Sequence, residues 1–282
     1  MNKIKLLLIA AMVTLITSGI VLASGNLYWD LPKQPSVEEY GNILINRTSS
    51  ASKIKAVTFS HWLHRTRHTC RVCHTELKFE LALNKTVITE KDNMEGRFCG
   101  ACHNDNIAFG HSEENCDKCH NGNISYGIEQ YETLKHLPRA EYGNGINWVS
   151  AIQSGAIQPV NKLYNSLDKE ALLSNEQMKR KMREKEILEK NMTIQPNWLF
   201  VPPAEISHAI HDKWLDCSNC HPAIFNEELN STANLSMSKI INSEYCGVCH
   251  GKVSFPVDDC KSCHPGMKHS STEGLNTDNK EH

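Results

Sequence analysis

One uncharged apolar run, Leu6 to Leu22, opens the chain behind Lys3 and Lys5 and ahead of Ala23-Ser24-Gly25. Basic, apolar and small regions in that order read as a secretory signal over 1–23, with Val21-Leu22-Ala23 as the cleavage site. Thr14, Thr17, Ser18 and Gly19 weaken the second half of the run. It is nevertheless just long enough to cross a bilayer, so an uncleaved N-terminal anchor stays open as a second reading. No cysteine follows the run, and a lipoprotein anchor is not indicated. Either reading exports the chain, to the periplasm or the cell surface, and membrane contact is expected only through an uncleaved N-terminus.

Further along, polar patterning predicts one longer helix. Ser174-Asn-Glu-Gln177 has capping-box spacing, and the helix should run over about 175–191. Glu176 with Arg180, and Glu186 with Lys190, are supporting i,i+4 pairs on a solvated face. Pro196, Pro202 and Pro203 then break it. Residues 24–50 carry no strong pattern and read as an extended arm. The segment after Met267 is polar and reads as a disordered tail over 269–282, with His269 and His282 outside any site.

Composition narrows the class. A 40% hydrophobic content with only 7% aromatic residues is thin for a large conventional core. A formal charge of −2 gives no basic field, so nucleic acid is not an expected partner.

All twelve cysteines fall in six copies of Cys-x-x-Cys-His: Cys70/Cys73/His74, Cys99/Cys102/His103, Cys116/Cys119/His120, Cys217/Cys220/His221, Cys246/Cys249/His250 and Cys260/Cys263/His264. The pattern reads as c-type haem attachment. Two thiols bond the two vinyl edges of one porphyrin, and the following histidine becomes the proximal iron ligand. Disulfide frameworks and zinc sites also use many cysteines, but neither requires a histidine after every pair. Six covalent haem c groups are expected, and they would supply the apolar surface that the chain lacks.

The motifs form two groups of three. Phe59-Ser-His61-Trp-Leu-His64 precedes Cys70, and Ile206-Ser-His208-Ala-Ile-His211 precedes Cys217, at the same offset. First and second motifs are 29 residues apart in both groups, whereas second and third are 17 apart in one and 14 in the other. The extra residues lie near Phe109-Gly-His111, and an internal duplication accounts for the rest. His61 and His64, like His208 and His211, are spaced to share one face of a helical turn. Each is a candidate sixth ligand to a different iron.

Phe-Ser-His-x-x-His, Cys-x-x-Cys-His and then Cys-Gly-x-Cys-His, with Phe109 and Phe255 ahead of the third motif, resemble the triheme c7-type cytochromes, relatives of cytochromes c3. The likeness spans roughly 59–120 and 206–264. It implies a mainly α fold with much irregular structure: two small triheme domains wrapped around haems, 51–122 and 204–268, joined by a partly helical linker, 123–203. It implies that His61 and His208 partner His74 and His221, and that His64 and His211 partner His103 and His250. Met237 resembles the methionine that ligates the third haem in the subgroup with several triheme units, and would pair with His264. The equivalent residue in the first repeat is Glu90, a departure from the pattern. For the His120 haem Met94, one helical turn further on, is favoured, with His111, His68 and His136 open. Gly145 to Pro159, with Trp148, resembles a tryptophan-bearing segment found between such haem groups, either packed on porphyrin or forming a surface helix.

Irons with both axial positions filled have nowhere to activate a substrate, so the expected role is electron transport and not enzymatic. The resemblance points to anaerobic respiration or extracellular electron transfer. Expected partners are redox proteins, such as a membrane quinol-oxidising complex or outer cytochromes. The alternative is a reductase or sensor built on one five-coordinate haem, that of His120.

Overall fold

In each repeat, an antiparallel strand pair leads straight into the helix that carries the paired histidines. In the first, β1 (Asn42–Ile45) pairs with β2 (Val57–Ser60), with Asn42 opposite Ser60 and Ile45 opposite Val57. In the second, β3 (Asn191–Ile194) pairs with β4 (Ala204–Ser207), with Asn191 opposite Ser207. Val57, Thr58 and Phe59 are strand formers. The chain turns helical immediately after the serine, giving α1 (His61–Arg65) and α2 (His208–Asp212). Ser60 and Ser207 hold the extended N-cap conformation, so both histidines of each pair sit on one first turn.

The computed structural model describes residues 34–140, 145–163, 186, 189, 191–197, 200–228, 231–255 and 257–267. The signal or anchor at 1–23 and the tail at 269–282 lie outside the described residues. Of the helix predicted over 175–191, only Glu186, Glu189 and Asn191 are described; the two glutamates are helical and Asn191 already begins β3. The expectation of an extended arm over 24–50 needs correction from Gln34 onward. That stretch turns at Ser36–Tyr40, forms β1 and closes with a short helix, Arg47–Ala51. Strand pairing satisfies its backbone, and the Tyr40 hydroxyl donates to the carbonyl of His250 at 3.0 Å.

Among the described residues the remaining elements are short, of one to two turns. Helix α3 (Glu90–Met94) is capped by a reciprocal Thr89–Asp92 box, and its counterpart α4 (Met237–Ile241) by Ser236. Each packs against the glycine of the following Cys-Gly-x-Cys-His motif. A Cβ on Gly100 would lie 1.8 Å from the carbonyl oxygen of Asn93, and one on Gly247 1.8 Å from that of Ile240. Only glycine lets these backbones meet. Among the described residues the architecture is mainly helical and irregular, with two small sheets and two repeated units.

The apolar core lies between the repeats and is built largely by the connecting segment. Tyr131, Leu134, Leu137, Ile146, Ala151 and Ile157 pack with Trp62 of the first repeat and Trp214 of the second. Trp62 meets Tyr131 edge to face at 5.3 Å. Trp148 opens a helix, Trp148–Gln153, that docks into this cluster, with its ring 6.5 Å from that of Trp214. The surface-helix reading of this segment is thereby corrected: Ala151 is wholly buried. Residues from Gln34 onward form one unit in which the repeats touch directly.

Candidate functional site

Every attachment motif occupies about one turn of helix. Cys116–Cys119, Cys217–Cys220 and Cys260–Cys263 are α-helical turns, Gly247–His250 follows Cys246, Phe98–Ala101 is a 3-10 turn and Val72–Glu76 a π turn. Spacing of i and i+3 on such a turn brings both thiols to one side. In five motifs the histidine amide bonds the carbonyl of the first cysteine, at 2.7–3.0 Å. All twelve cysteines are described and none is in a disulfide. Among the described residues no three His, Cys, Asp or Glu side chains converge as a zinc site would need.

The histidines share one further feature. His74, His103, His221 and His250 donate Nδ1–H to the carbonyls of Phe79, Phe109, Phe225 and Phe255, at 2.8–3.0 Å. His120 donates to Lys55 at 3.0 Å and His264 to Pro202 at 2.7 Å. Lys55 and Pro202 hold equivalent places, two residues ahead of β2 and β4. His61 donates to Gly41, His64 to Ser60 and His211 to Ser207, each at 2.8 Å. A carbonyl oxygen only accepts, so each Nδ1 carries the proton and each Nε2 keeps its lone pair for a metal. His208 differs: its Nδ1 is buried without a described acceptor. By strand register, the residue matching Gly41 is Lys190, outside the described residues.

Burial favours the neutral ring, as ligation requires, at His61, His64, His74, His208 and His250. It pushes His61 down to about 3, and His64 and His250 to about 4, and it also lowers His74 and His208.

Ring positions then group the histidines. The rings of His64 and His103 have centroids 6.3 Å apart, and those of His211 and His250 are 6.2 Å apart. Two imidazoles bound on opposite sides of one metal, at about 2 Å each, put their centroids a little over ~6 Å apart. Both spacings fit a shared iron. His61 lies within the electrostatic reach of His74, and His208 within that of His221.

A family described as cytochrome c7 and related cytochrome c matches residues 57–121 and 204–265. These two stretches are c7-type cytochrome units. Solved structures similar to the chain include the C-terminal hexaheme fragment of GSU1996, at 24% identity over 83% of this chain and 99% of that one, TM-score 0.25. The N-terminal hexaheme fragment matches at 22% identity over 80% and 99%, TM-score 0.24. The dodecaheme cytochrome c GSU1996 matches at 22% over 84% and 76%, TM-score 0.27. No curated protein matches the chain. Multihaem c-type cytochromes of this family transfer electrons through haem c.

Within the cytochrome units the methionines stand differently. Met237 begins α4 and is half-buried, whereas the first residue of α3 is Glu90. Met94 ends α3, 66% exposed, and corresponds to Ile241. Among the described residues no ring contact joins His111, His68 or His136 to His120. His111 is exposed, His136 donates Nδ1–H to Thr133 at 2.7 Å, and His68 keeps a buried Nδ1 without an acceptor. The carbonyl partners were missed by sequence reasoning, because a backbone acceptor leaves no trace in residue type. Only the repeat offset of Lys55 and Pro202 could have pointed to them.

Proposed function

We propose that this chain is an exported hexahaem electron carrier that passes single electrons between redox proteins and has no substrate site. The reading rests on the ring spacing of His64 with His103 and of His211 with His250, which fits irons closed on both faces by protein. Haem c, when bound, supplies a reversible one-electron couple. The protein's own contribution is attachment, ligation and control of potential. The six Cys-x-x-Cys pairs attach. His74, His103, His120, His221, His250 and His264 would each hold the iron of an attached haem, and His61, His64, His208 and His211 would supply a second ligand to four of them. Met237 completes the His264 centre and Met94 the His120 centre. Methionine in place of histidine raises the potential of a centre, so each unit has one step that differs from the other two.

The apolar run at 6–22 supports export to the periplasm or cell surface. The net charge of −2, made more negative by haem propionates, suits docking to basic patches on a membrane quinol-oxidising complex or on outer cytochromes in anaerobic respiration or extracellular electron transfer. Carbon monoxide titration of the fully reduced, six-haem protein tests the reading. No binding is expected; one equivalent bound at the wild-type His120 centre would overturn it in favour of catalysis or sensing.

A further inference from the structure

Aligned on their cysteines, the third attachment turns of the two repeats, Cys116–Cys119 and Cys260–Cys263, give each neighbouring residue a counterpart. Immediately ahead of the first cysteine stand Asn115 and Asp259, each 7% exposed. Asn115 brings a neutral amide. Its oxygen accepts from Lys118 Nζ at 2.6 Å, and its nitrogen donates to the Ser112 hydroxyl at 2.8 Å. Asp259 brings a carboxylate to the same place. Its Oδ2 accepts from the Ser262 hydroxyl at 2.7 Å, and its Oδ1 is buried with no donor. Ser262 is the counterpart of Lys118. One repeat therefore sets an amide against an ammonium, and the other a carboxylate against a hydroxyl. Among the described residues no cation pairs with Asp259.

The other charges at these turns do not decide the comparison. Glu114 and Asp258, one residue further ahead, are both exposed acids. Asp117 is exposed, and its counterpart Lys261 partly so. Water and salt screen such groups, whereas a buried charge acts through a medium of lower dielectric. Asp259 lies within electrostatic reach of Cys260 and Cys263, the two sulfurs that would hold one porphyrin edge. In the first repeat the charge beside Asn115 is the ammonium of Lys118, which reaches Cys119. The two edges thus meet opposite fields, and the buried member of the pair is the carboxylate.

We propose that Asp259 is a buried charge that lowers the potential of the haem carried by Cys260–Cys263 and so sets it apart from its counterpart on Cys116–Cys119. The proposal rests on the haem-carrying reading above, in which both centres have one histidine and one methionine. Ligand type then does not separate them. Reduction adds one electron, which an anion beside the porphyrin edge disfavours and a cation favours. The low dielectric around a buried group is one of the levers by which a protein sets a potential. Asp259 therefore biases the electrons of the molecule towards the first repeat.

The test is redox titration of the intact protein at fixed pH and ionic strength, with each haem followed by its NMR methyl resonances. Asp259→Asn keeps an oxygen for the Ser262 hydroxyl and removes the charge. It should raise one potential, that of the haem on Cys260–Cys263, by about tenfold in the reduced-to-oxidised ratio (about 59 mV for one electron). Ser262→Ala removes the hydrogen bond and leaves the charge, and should not raise it. Six unchanged potentials in Asp259→Asn would overturn the proposal, as would an equal rise in Ser262→Ala, which would mark a packing role. Should Asp259→Asn fail to assemble, the pair is moved instead to the first repeat, as Asn115→Asp with Lys118→Ser. That double variant should lower the potential of the haem on Cys116–Cys119; an unmoved value there would overturn the proposal. A separate count of haem per chain in the wild type tests the underlying reading. Fewer than six would remove that reading, whereas six with unmoved potentials in Asp259→Asn removes only this one.

Discussion

Arg71, between the two cysteines of the first attachment motif, donates from Nε to the backbone carbonyl of Leu215 at 2.7 Å. Leu215 lies just ahead of the first motif of the second repeat, so the two haem-bearing turns are bonded to each other. Nη2 adds bonds to the carbonyl and the carboxylate of Asp212, at 2.6 and 2.7 Å, and Thr75 reaches Asn219 at 3.2 Å. The Asp212 side chain is 41% exposed, so solvent screens the ionic part to about 1 kcal/mol or less. The carbonyl bonds are charge-assisted and better shielded, at roughly 1.5–3 kcal/mol. Arg71→Ala should therefore destabilise the protein clearly more than Asp212→Ala. Denaturant unfolding of both, followed at the haem absorbance, checks this; equal losses would contradict it.

The two motif glycines are predicted to be irreplaceable for a backbone reason. An alanine at position 100 or 247 drives its Cβ into the carbonyl of Asn93 or Ile240, each approached to 1.8 Å. That atom is main chain, so α3 or α4 must shift, at a cost of about 1–3 kcal/mol or more. Gly100→Ala should reduce haem occupancy at Cys99 and Cys102 while leaving the second repeat loaded. Peptide mass spectrometry of the attached haem reads this directly, and full occupancy at that motif would count against it.

Much of this molecule is written in side chains and can be read from them. The cysteines, the histidine pairs and the match of Cys70–Cys99 to Cys217–Cys246 are chemical identities at fixed offsets, so the duplication and its helical turns were legible. What was not legible lives in the backbone or in long-range packing. Strand β1 lies ahead of the expected domain start at 51 and was not foreseen, because strand pairing of Asn42–Ile45 with Val57–Ser60 depends on carbonyls and amides that every residue has. Likewise the connecting segment reads as a linker, since its apolar residues are scattered. Tyr131, Leu137 and Ile146 become core only when Trp62 and Trp214 are brought to them.

If His64 closes the iron of His103, and His211 that of His250, then deleting either distal ring opens one coordination position. His64→Ala and His211→Ala should each bind one equivalent of carbon monoxide when reduced, whereas the parent binds none. Each ring's hydrogen bond runs to the serine carbonyl of its own helix start, so the rest of the unit should keep its haems. A variant that binds no carbon monoxide would mean that the ring was not a ligand.

Met237→His offers a test on the third centre of the second repeat. Met237 begins a helix capped by Ser236, which fixes its backbone, so the exchange changes the ligand atom more than the fold. Replacing a thioether with imidazole favours ferric iron, and one midpoint potential should fall while the others hold. Potentiometry in which all six remain in place would show that Met237 only packs.

The chain without haem should have no cooperative unfolding transition. None of the helices with described bounds exceeds six residues, and helices shorter than about 12 residues are marginal in water on their own. The strand pairs are two-stranded, which is also marginal when isolated. The buried apolar cluster sits between the repeats, so inside each unit the space between motif turns has few side chains of its own to fill it. Haem must therefore act as the core of each unit, as metal does in small metal-dependent domains. A cysteine-to-serine variant that attaches no haem should give a circular dichroism signal of low helicity, declining gradually with temperature. A sigmoidal transition in that variant would show that the polypeptide folds before its cofactors, and the dependence of fold on haem argued here would be wrong.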